Sequence, residues 1–287
     1  MRSPDRERPC EACGQMDWLP RWSQFIVCRH CGLMTVAVQP SAVDIPTLYS
    51  ESYFQGDEYI DYEADKPAHQ RTLMGHLKRV RRRVPAGGRL LEIGCAYGFF
   101  LELIKEIYPG SVGLDVSVAA VNEATKRGLC ARVGDPGDAG LDGSFDGACL
   151  WDTIEHLAKP LEVVVGCARL LRRGGHLFLS TGDFGSLIAR TQGRRWRQIH
   201  PPTHLFYFTR NSLRQLCTRA GLEVLEFGTV TVHRRIGSSL QALERFHATS
   251  FGGRLARVLR ARLPASIFQA SLPLNLGDTL FLAARKP

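Results

Sequence analysis

Four cysteines near the beginning of the sequence stand in two Cys-x-x-Cys pairs. The first pair is Cys10 and Cys13, and the second pair is Cys28 and Cys31. This spacing is typical of a zinc site with four thiolate ligands, because each pair can aim two sulfurs at one ion. No ligand position is left for water, so we expect a structural Zn²⁺, with His30 as a bystander. A redox dithiol or disulfides are the alternative, and a reducing cytosol disfavours structural disulfides.

A glycine-containing turn follows an apolar segment and could approach a ligand closely through its backbone. Asp115 follows this turn by about 20 residues, the spacing of an acid that binds ribose hydroxyls. A pyrophosphate prefers bare amides, whereas a carboxylate directly before the turn suits a cationic ligand. The pattern therefore favours S-adenosylmethionine, a sulfonium with an amino-acid tail, over the dinucleotide of a dehydrogenase, which is the main alternative. The segment consists of Glu92-Ile93-Gly94-Cys95-Ala96-Tyr97-Gly98.

Candidate proton acceptors lie in two segments that follow predicted strands. His156 comes after the fourth strand, and His200, His204 and Tyr207 come after the fifth. The carboxyl ends of parallel strands meet at one edge of a sheet, so we expect both groups near the cofactor. There they could accept a proton from a hydroxyl or carbon nucleophile. The alternatives are a structural role for His156 at a helix start and packing of His204 in a lid.

Four arginines surround a tryptophan shortly before His200. Guanidinium groups at this position would suit a diphosphate or carboxylate on an acceptor, and Trp196 could stack on a base or a sugar. An exposed arginine-rich loop is the alternative. The arginines are Arg190, Arg194, Arg195 and Arg197.

Positive charge is concentrated in the last third of the sequence. The 287-residue chain has a net charge of +9, and residues 186–287 contain 16 basic and 4 acidic residues. An anionic acceptor or surface would explain the excess, and so would a solvated arginine-rich surface. Within this part, Arg254, Arg257 and Arg260 lie opposite Leu255 and Val258 on a predicted helix. That helix could touch a membrane, although packing on the sheet is the favoured alternative.

The overall composition excludes a wholly disordered chain. The sequence is 44% hydrophobic and 23% charged, which is normal for a folded protein. No uncharged apolar run of about 18 residues is present, so we expect no membrane-spanning helix. No apolar stretch follows the charges near the N-terminus, and we therefore expect no secretory signal and a cytoplasmic location.

Strand and helix patterns alternate from residue 89 onward, which indicates a mostly parallel α/β sheet with helices on both faces. Strands are predicted at residues 89–94, 112–116, 131–133, 145–152 and 176–180. Helices are predicted at residues 69–84, 99–108, 117–127 and from Pro160.

The sequence predicts that the chain has three parts. Residues 1–38 form a zinc ribbon, residues 39–84 a tyrosine-rich linker and lid helix, and residues 85–287 the cofactor-binding domain. Substrate-side insertions are expected within that domain, at about 183–210 and 233–275. The linker tyrosines could cover a cleft or dock the zinc ribbon; they are Tyr49, Tyr53, Tyr59 and Tyr62.

Several of these motifs resemble those of class I S-adenosylmethionine-dependent methyltransferases. The turn ending at Gly98 is similar to their first motif, and Gly113-Leu114-Asp115 is similar to their second. Residues 151–157 and 170–177 resemble the segments around their fourth and fifth strands. Residues 202–209 resemble a subgroup often associated with polysaccharide and deoxysugar biosynthesis, whose members also carry two N-terminal cysteine pairs. The resemblance covers about residues 10–225 and a closing strand at 278–284.

This resemblance implies a Rossmann-like sheet with an antiparallel last strand and a set of cofactor contacts. Glu92, Gly94 and Gly98 would hold the methionine end, Asp115 the ribose and Asp135 the adenine amino group. Trp151 would line the pocket near the sulfonium. Further residues expected at the cofactor are Cys95, Ala96, Tyr97, Val116 and Asp152.

This sequence departs from the family pattern at several positions, and one of these departures concerns which atom is methylated. Ala96 replaces a usual glycine, and Thr181-Gly182-Asp183 replaces a usual Thr-Pro-Asn. In similar sugar carbon-methyltransferases the histidine aligned with His204 is the base and follows a glutamate, but here Thr203 precedes it. A carboxylate partner for the base is therefore missing, which favours methylation at oxygen over carbon.

The expected function is methyl transfer to a small-molecule acceptor, either anionic or sugar-containing. Candidate acceptors are a sugar, nucleotide-sugar, glycolipid or specialised metabolite. An RNA methyltransferase using the zinc ribbon is one alternative, but no platform of aromatic and basic residues favours a specific nucleic acid. A non-catalytic S-adenosylmethionine-binding protein is another. The sequence leaves the oligomeric state open.

Overall fold

The computed structural model describes residues 8–38, 61–137, 141, 143–246 and 250–287. Three of the four linker tyrosines, Tyr49, Tyr53 and Tyr59, lie outside these residues. Among the described helices, none combines the length and apolarity needed to cross a bilayer.

Strands and helices alternate along most of the described chain. The strands are β1 (Trp18–Arg21), β2 (Phe25–Cys28), β3 (Met34–Val36), β4 (Leu90–Ile93), β5 (Val112–Asp115), β6 (Ala131–Val133), β7 (Phe145–Trp151), β8 (Leu171–Gly182), β9 (Phe206–Tyr207), β10 (Glu223–Thr229), β11 (Val232–Arg235), β12 (Ser271–Leu274) and β13 (Thr279–Arg285). The α-helices are α1 (Lys66–Val80), α2 (Phe99–Ile104), α3 (Val118–Lys126), α4 (Pro160–Leu170), α5 (Leu187–Gln192), α6 (Arg210–Arg219), α7 (Ile236–Phe246), α8 (Phe251–Arg262) and α9 (Ala265–Gln269).

The central sheet has the strand order β10-β13-β8-β7-β4-β5-β6. Strands β4 to β8 run parallel, while β13 pairs antiparallel with both β8 and β10. The predicted Rossmann-like fold is therefore confirmed, including its antiparallel last strand. The chain leaves β4 toward β5 and later returns to the other side of β4 as β7. A crevice forms at such a change of direction, outside the carboxyl ends of the strands.

Several predicted boundaries differ from the observed ones. Helix α1 begins at Lys66 and ends at Val80, with Pro67 in its first turn, where a missing amide hydrogen costs nothing. Helix α2 ends at Ile104 rather than 108. Strand β8 begins at Leu171 and includes the glycine pair expected to precede it. Its pairing with β7 is irregular in between and resumes at His176.

The four-cysteine segment forms a second sheet that includes a strand from the main domain. Strands β1, β2 and β3 pair antiparallel, and β9 adds to β3 with Thr35 opposite Phe206. The buried Thr35 hydroxyl also donates to the Leu205 carbonyl at 2.9 Å. Arg219 on α6 donates to the Glu11 carbonyl at 2.8 Å. The segment is therefore joined to the larger domain by backbone pairing as well as by side chains.

The insertion at residues 233–275 covers one side of the central crevice. Strands β11 and β12 pair antiparallel, and helices α7, α8 and α9 lie between them in the chain. Arg235 anchors the insertion to the start of α1 through a 2.6 Å ion pair with Asp65. The His233 amide donates to the Thr72 hydroxyl at 2.8 Å. The insertion and α1 thus form one wall.

Helix α8 does not pack on the central sheet, which is the arrangement that the sequence favoured. The expectation was a helix covering the central sheet, but α8 packs against α7. Only Gly253 and Ala256 of α8 are buried. Its larger apolar side chains stay exposed, so packing on the sheet is wrong as an explanation of its periodicity.

Candidate functional site

A cavity of about 1080 Å³ opens at the carboxyl ends of β4, β5 and β7. Ligand pockets in proteins usually measure about 300–1,000 Å³. The volume therefore suffices for a nucleoside-sized ligand and a second molecule beside it. Helix α1, the insertion and the segment after β8 supply the remaining walls.

The glycine turn after β4 has three residues in the left-handed backbone region. They are Gly94, Ala96 and Gly98, with φ of 70°, 47° and 77°. A Cβ on Gly94 would lie 2.6 Å from Thr153, and one on Gly98 would lie 2.4 Å from Leu129. Both positions thus require glycine for space as well as conformation. Ala96 adopts a conformation that costs an L-residue about 1–2 kcal/mol.

The first residues of this turn are the ones that line the cavity. Gly94, Cys95 and Ala96 line the cavity, whereas Tyr97 and Gly98 are not among the lining residues. The Tyr97 ring packs edge-on against Tyr62, 5.2 Å between centroids. Gly98 and Tyr97 would therefore act through the shape of the turn rather than by direct contact.

Asp115 lies at the end of β5, directly beside the turn. Its carboxylate accepts the Ala96 amide at 2.8 Å and the Ser117 amide at 2.9 Å. Burial raises the pKa of Asp115, although these amide hydrogen bonds oppose the rise. Each carboxylate oxygen keeps a second lone pair, so the group can hold the turn and still accept ribose hydroxyls. The next residue, Val116, lines the cavity and is exposed.

Glu92 supplies a second carboxylate at the end of β4. The side chain is buried, and its Oε2 has no hydrogen-bond partner among the described residues. Burial, and then the charge of Asp115, raise the pKa of Glu92 well above its usual value. A buried carboxylate with one unpartnered oxygen at a cavity wall fits a cationic ligand. The residues present therefore fit the charge and the ribose of S-adenosylmethionine.

Trp151, at the end of β7, lines the cavity and stacks on a histidine that sequence analysis missed. The partner is His76 of α1, 4.2 Å away between ring centroids. Neither the indole Nε1 nor the His76 Nε2 has a hydrogen-bond partner within the described part of the chain. His69 and Thr72 line the cavity from the same helix face. His69, Thr72 and His76 are three and four residues apart, a spacing that indicates one shared helix face. The apolar residues of α1 obscured this pattern in the sequence.

Asp135 and Asp152 also line the cavity. The Asp135 carboxylate accepts the Gly137 amide at 2.7 Å. Asp152 accepts the Ser180 hydroxyl at 3.0 Å, and burial raises the pKa of this carboxyl. Both acids are held in place by neighbours of their own and can still contact a ligand.

Glu155, His156 and His204 form a cluster on the acceptor side of the cavity. One ligand atom from each lies within 4.8 Å of the others. The two imidazole rings meet edge to face, 4.6 Å between centroids. Burial lowers the pKa of His156 to about 4 and that of His204 well below its usual value. Both rings are therefore neutral at neutral pH and can accept a proton.

The pKa of Glu155, the carboxyl group of this cluster, is raised, whereas the pKa values of the two histidines are lowered. Burial raises the pKa of Glu155 to about 8, with a further contribution from the charge of Asp152. Its Oε2 has no hydrogen-bond partner among the described residues. One carboxylate and two imidazoles can hold either a shared proton or a divalent cation.

The other two candidate bases are placed differently. His200 lines the cavity at an exposed position. Tyr207 is buried outside the main cavity, and its hydroxyl donates to the His204 carbonyl at 3.0 Å. Burial also raises the pKa of Tyr207. The geometry thus gives Tyr207 the task of holding His204, not that of a base.

Of the four arginines near Trp196, one reaches the cavity. Arg197 lines it and forms a 2.8 Å ion pair with Asp278, while Arg190, Arg194 and Arg195 are exposed elsewhere. The expectation that Trp196 stacks on a ligand is wrong. The Trp196 ring is buried, and its indole nitrogen donates to Asp278 at 2.9 Å. Arg234 of β11, which sequence analysis missed, also lines the cavity and carries a positive charge.

The four cysteine sulfurs lie close enough together to share one metal ion, since all of them are within 4.8 Å of one another. The sulfurs of Cys10 and Cys31 are 3.6 Å apart, and those of Cys13 and Cys28 are 3.5 Å apart. Four thiolates at a Zn–S distance of about 2.3 Å would be about 3.8 Å from one another. All four are free thiols. His30 is outside the cluster and lies 3.7 Å from Asp17. The donor set fits Zn²⁺.

Comparisons with known proteins agree with this geometry. A family model described as a methyltransferase domain matches residues 66–227, more than half of the chain. A ubiquinone biosynthesis O-methyltransferase of Xanthomonas oryzae is 34% identical over 104 residues, 33% of this chain and 44% of that protein. One from Cupriavidus pinatubonensis is 26% identical over 160 residues, 51% of this chain and 64% of that protein. The chain thus matches less than two thirds of these relatives.

A solved structure extends the likeness to most of the chain. Magnesium protoporphyrin IX methyltransferase from Synechocystis, crystallised with bound SAH, superposes with a TM-score of 0.55. The match covers 86% of this chain and 100% of that one, at 14% sequence identity. At this identity the likeness shows the fold.

Replacing Asp115 by alanine tests the ribose contact. We expect S-adenosylmethionine affinity to fall about 100-fold, because two hydrogen bonds to a charged acceptor are lost. Isothermal titration calorimetry measures the affinity. Asp146→Ala is the matched control, since Asp146 lies at the start of β7 and bonds the Arg89 amide. Unchanged affinity in Asp115→Ala would refute the contact.

Removing the metal tests the four-thiolate site. We expect the purified chain to contain zinc, and Cys13→Ser or chelation to lower the unfolding temperature by about 5 °C or more. S-adenosylmethionine affinity should change less than about twofold, because the cysteines do not line the cavity. The exposed Cys130 provides the control variant, Cys130→Ser. A metal-free chain whose stability ignores chelators would contradict the site.

Proposed function

This chain belongs to the methyltransferase-domain family and is an S-adenosylmethionine-dependent methyltransferase, and from this premise we propose that its acceptor is a hydroxyl group of a small molecule. The candidate acceptors are a sugar, a nucleotide-sugar, a glycolipid or a specialised metabolite. Its similarity to ubiquinone biosynthesis O-methyltransferases, over part of the chain, supports oxygen as the methylated atom.

The cofactor side of the cavity follows from the two carboxylates and the turn. Glu92 would face the positive charge of the methionine end, with the backbone of Gly94 to Ala96 beside it. Asp115 would hold the ribose, Asp135 the adenine amino group, and Trp151 would line the sulfonium end. When bound, S-adenosylmethionine supplies a methyl group on an already activated leaving group, so alignment is the main task left to the protein.

Proton removal is assigned to the histidine cluster. The observation that carries the proposal is the pair of adjoining neutral imidazoles, His204 buried and His156 half-buried, on the same cavity as Glu92 and Asp115. His204 would accept the hydroxyl proton. His156 is fixed by a 3.0 Å hydrogen bond between its Nδ1 and the Thr203 carbonyl, and it would orient the His204 ring. Burial of His204 limits the access of water that would compete with the acceptor.

The charge around this side of the cavity suits an acidic acceptor. Arg197 and Arg234 line it, and Arg197 is already held by Asp278. A phosphate, diphosphate or carboxylate on the acceptor would meet these guanidinium groups. We therefore include an anionic group in the proposed acceptor class.

Testing acceptors with S-adenosylmethionine carrying a carbon-13 methyl group examines the proposal directly. The panel should hold sugars, nucleotide-sugars, phenols and bulk RNA. We expect label on a hydroxyl-bearing small molecule and an O-methyl resonance in its NMR spectrum. Label found on carbon, or on RNA alone, would overturn the proposal.

His204→Gln tests the proton acceptor. We expect kcat to fall about 100-fold, the typical contribution of a general base, while S-adenosylmethionine affinity stays near that of the wild type. In the wild type, kcat/KM should stay flat through the usual imidazole range, because a lowered pKa leaves the ring neutral until the pH falls well below 6.5. His176→Gln, remote on β8, is the control. Wild-type turnover in His204→Gln would remove His204 as the base.

A further inference from the structure

Helix α8 presents its large apolar side chains to solvent and its small residues to the protein. Ala256 is 1% exposed and, like Gly253, faces α7. Phe251 is 76% exposed, Leu255 45% and Val258 47%. A helix that only packs on its own domain buries the large apolar residues and exposes the polar ones. The orientation of α8 is the reverse, so its outer face is left for a partner.

Arginines flank this outer face. Arg257 and Arg260 turn back toward α7, where each lies 3.0 Å from Glu244. Arg254 and Arg262 are exposed on the outer side, and no carboxylate of the described residues is within ion-pair distance of either. No acidic residue occurs within α8 itself. The outer face therefore combines an apolar stripe with unneutralised positive charge.

The exposed apolar character continues in the segments that follow α8. Ile267 of α9 is exposed, as are Leu272 and Leu274 of β12 and Leu276 beyond it. Strand β12 pairs only with β11 among the described strands, and so it forms an edge. A large exposed apolar patch marks an interaction site, and these residues add exposed apolar side chains beyond α8.

We propose that the outer face of α8 docks on an anionic lipid bilayer. An amphipathic helix lies in a bilayer interface with its apolar side among the acyl chains and its arginines at the headgroups. Anionic headgroups would neutralise Arg254 and Arg262. A nucleic acid would satisfy the arginines but not the apolar stripe. A second copy of α8 would bring its arginines against like charges, which disfavours self-association.

The position of α8 connects this surface to the cavity. Helix α7, on which α8 packs, contributes Ser238, Ser239 and Ala242 to the cavity lining. A bilayer under α8 would therefore lie near the wall that closes the acceptor side. An acceptor attached to a lipid could therefore enter the cavity from the membrane. This consequence rests on the proposed function, whereas the proposed docking of α8 does not depend on it.

Vesicle co-sedimentation of the full chain tests the docking without any methyl transfer. The probes are vesicles of phosphatidylcholine alone and vesicles of phosphatidylcholine and phosphatidylglycerol in equal amounts. We expect binding to the second kind only, weakened by salt. Leu255→Asp and Val258→Asp should each lower the partition coefficient about tenfold, and Arg254→Glu at least about fivefold. Leu19→Asp, at a similarly exposed leucine of β1, should bind like the wild type.

Each variant is first checked for the wild-type unfolding temperature and S-adenosylmethionine affinity, so that a folding defect is not mistaken for lost docking. Failure of every chain to bind either vesicle would overturn the proposal. Equal loss in Leu19→Asp would also overturn it. Binding that depends on Arg254 but not on Leu255 would show attraction by charge alone, which contradicts insertion of the apolar face. A change from dimer to monomer in Leu255→Asp, without vesicle binding, would assign the face to self-association instead.

Discussion

The site depends on two buried carboxylates, which lie at the ends of adjacent parallel strands. Glu92 ends β4 and Asp115 ends β5, and burial raises the pKa of both. Asp115 offsets part of this cost by accepting the Ala96 and Ser117 amides, which also fixes the shape of the glycine turn. Glu92 keeps an oxygen without a partner. A buried acid in that state is satisfied best by a cation, and this would be the physical basis of the proposed recognition of a sulfonium cofactor.

The four-cysteine segment is coupled to the other half of the site through β9. Strand β9 pairs with β3 and begins two residues after His204, and Thr35 holds the Leu205 carbonyl between them. The four-cysteine segment therefore supports the chain that carries the proposed base. Buried residues of β4 and β5 belong to the same hydrophobic cluster as those of the cysteine segment, so both sides of the cavity rest on a shared core.

The central sheet was predictable because its parallel strands are short, apolar and separated by helices or glycine turns. The positions of Glu92, Asp115 and Trp151 followed from strand ends, and the structure brings all three to one cavity. The pairing of β3 with β9 was not predictable, since the partners are about 170 residues apart and β9 has only two residues. Trp196 illustrates another limit: its indole nitrogen donates to Asp278, which lies 82 residues further along the chain, just before β13. Helix α8 has a periodicity that fits a buried or a docked helix equally, and only the burial of each residue distinguishes them.

The central claim is that Glu92 meets the positive charge of the cofactor, and proton release on binding tests it most directly. In the free protein burial and the charge of Asp115 raise the pKa of the Glu92 carboxyl, whereas a bound cation favours the ionised form and lowers that pKa. Titration calorimetry of S-adenosylmethionine in buffers of different ionisation enthalpy measures the protons released. The account predicts net release of protons when the cofactor binds, and no such release in Glu92→Gln. Binding without proton release, or release that persists in Glu92→Gln, would contradict it.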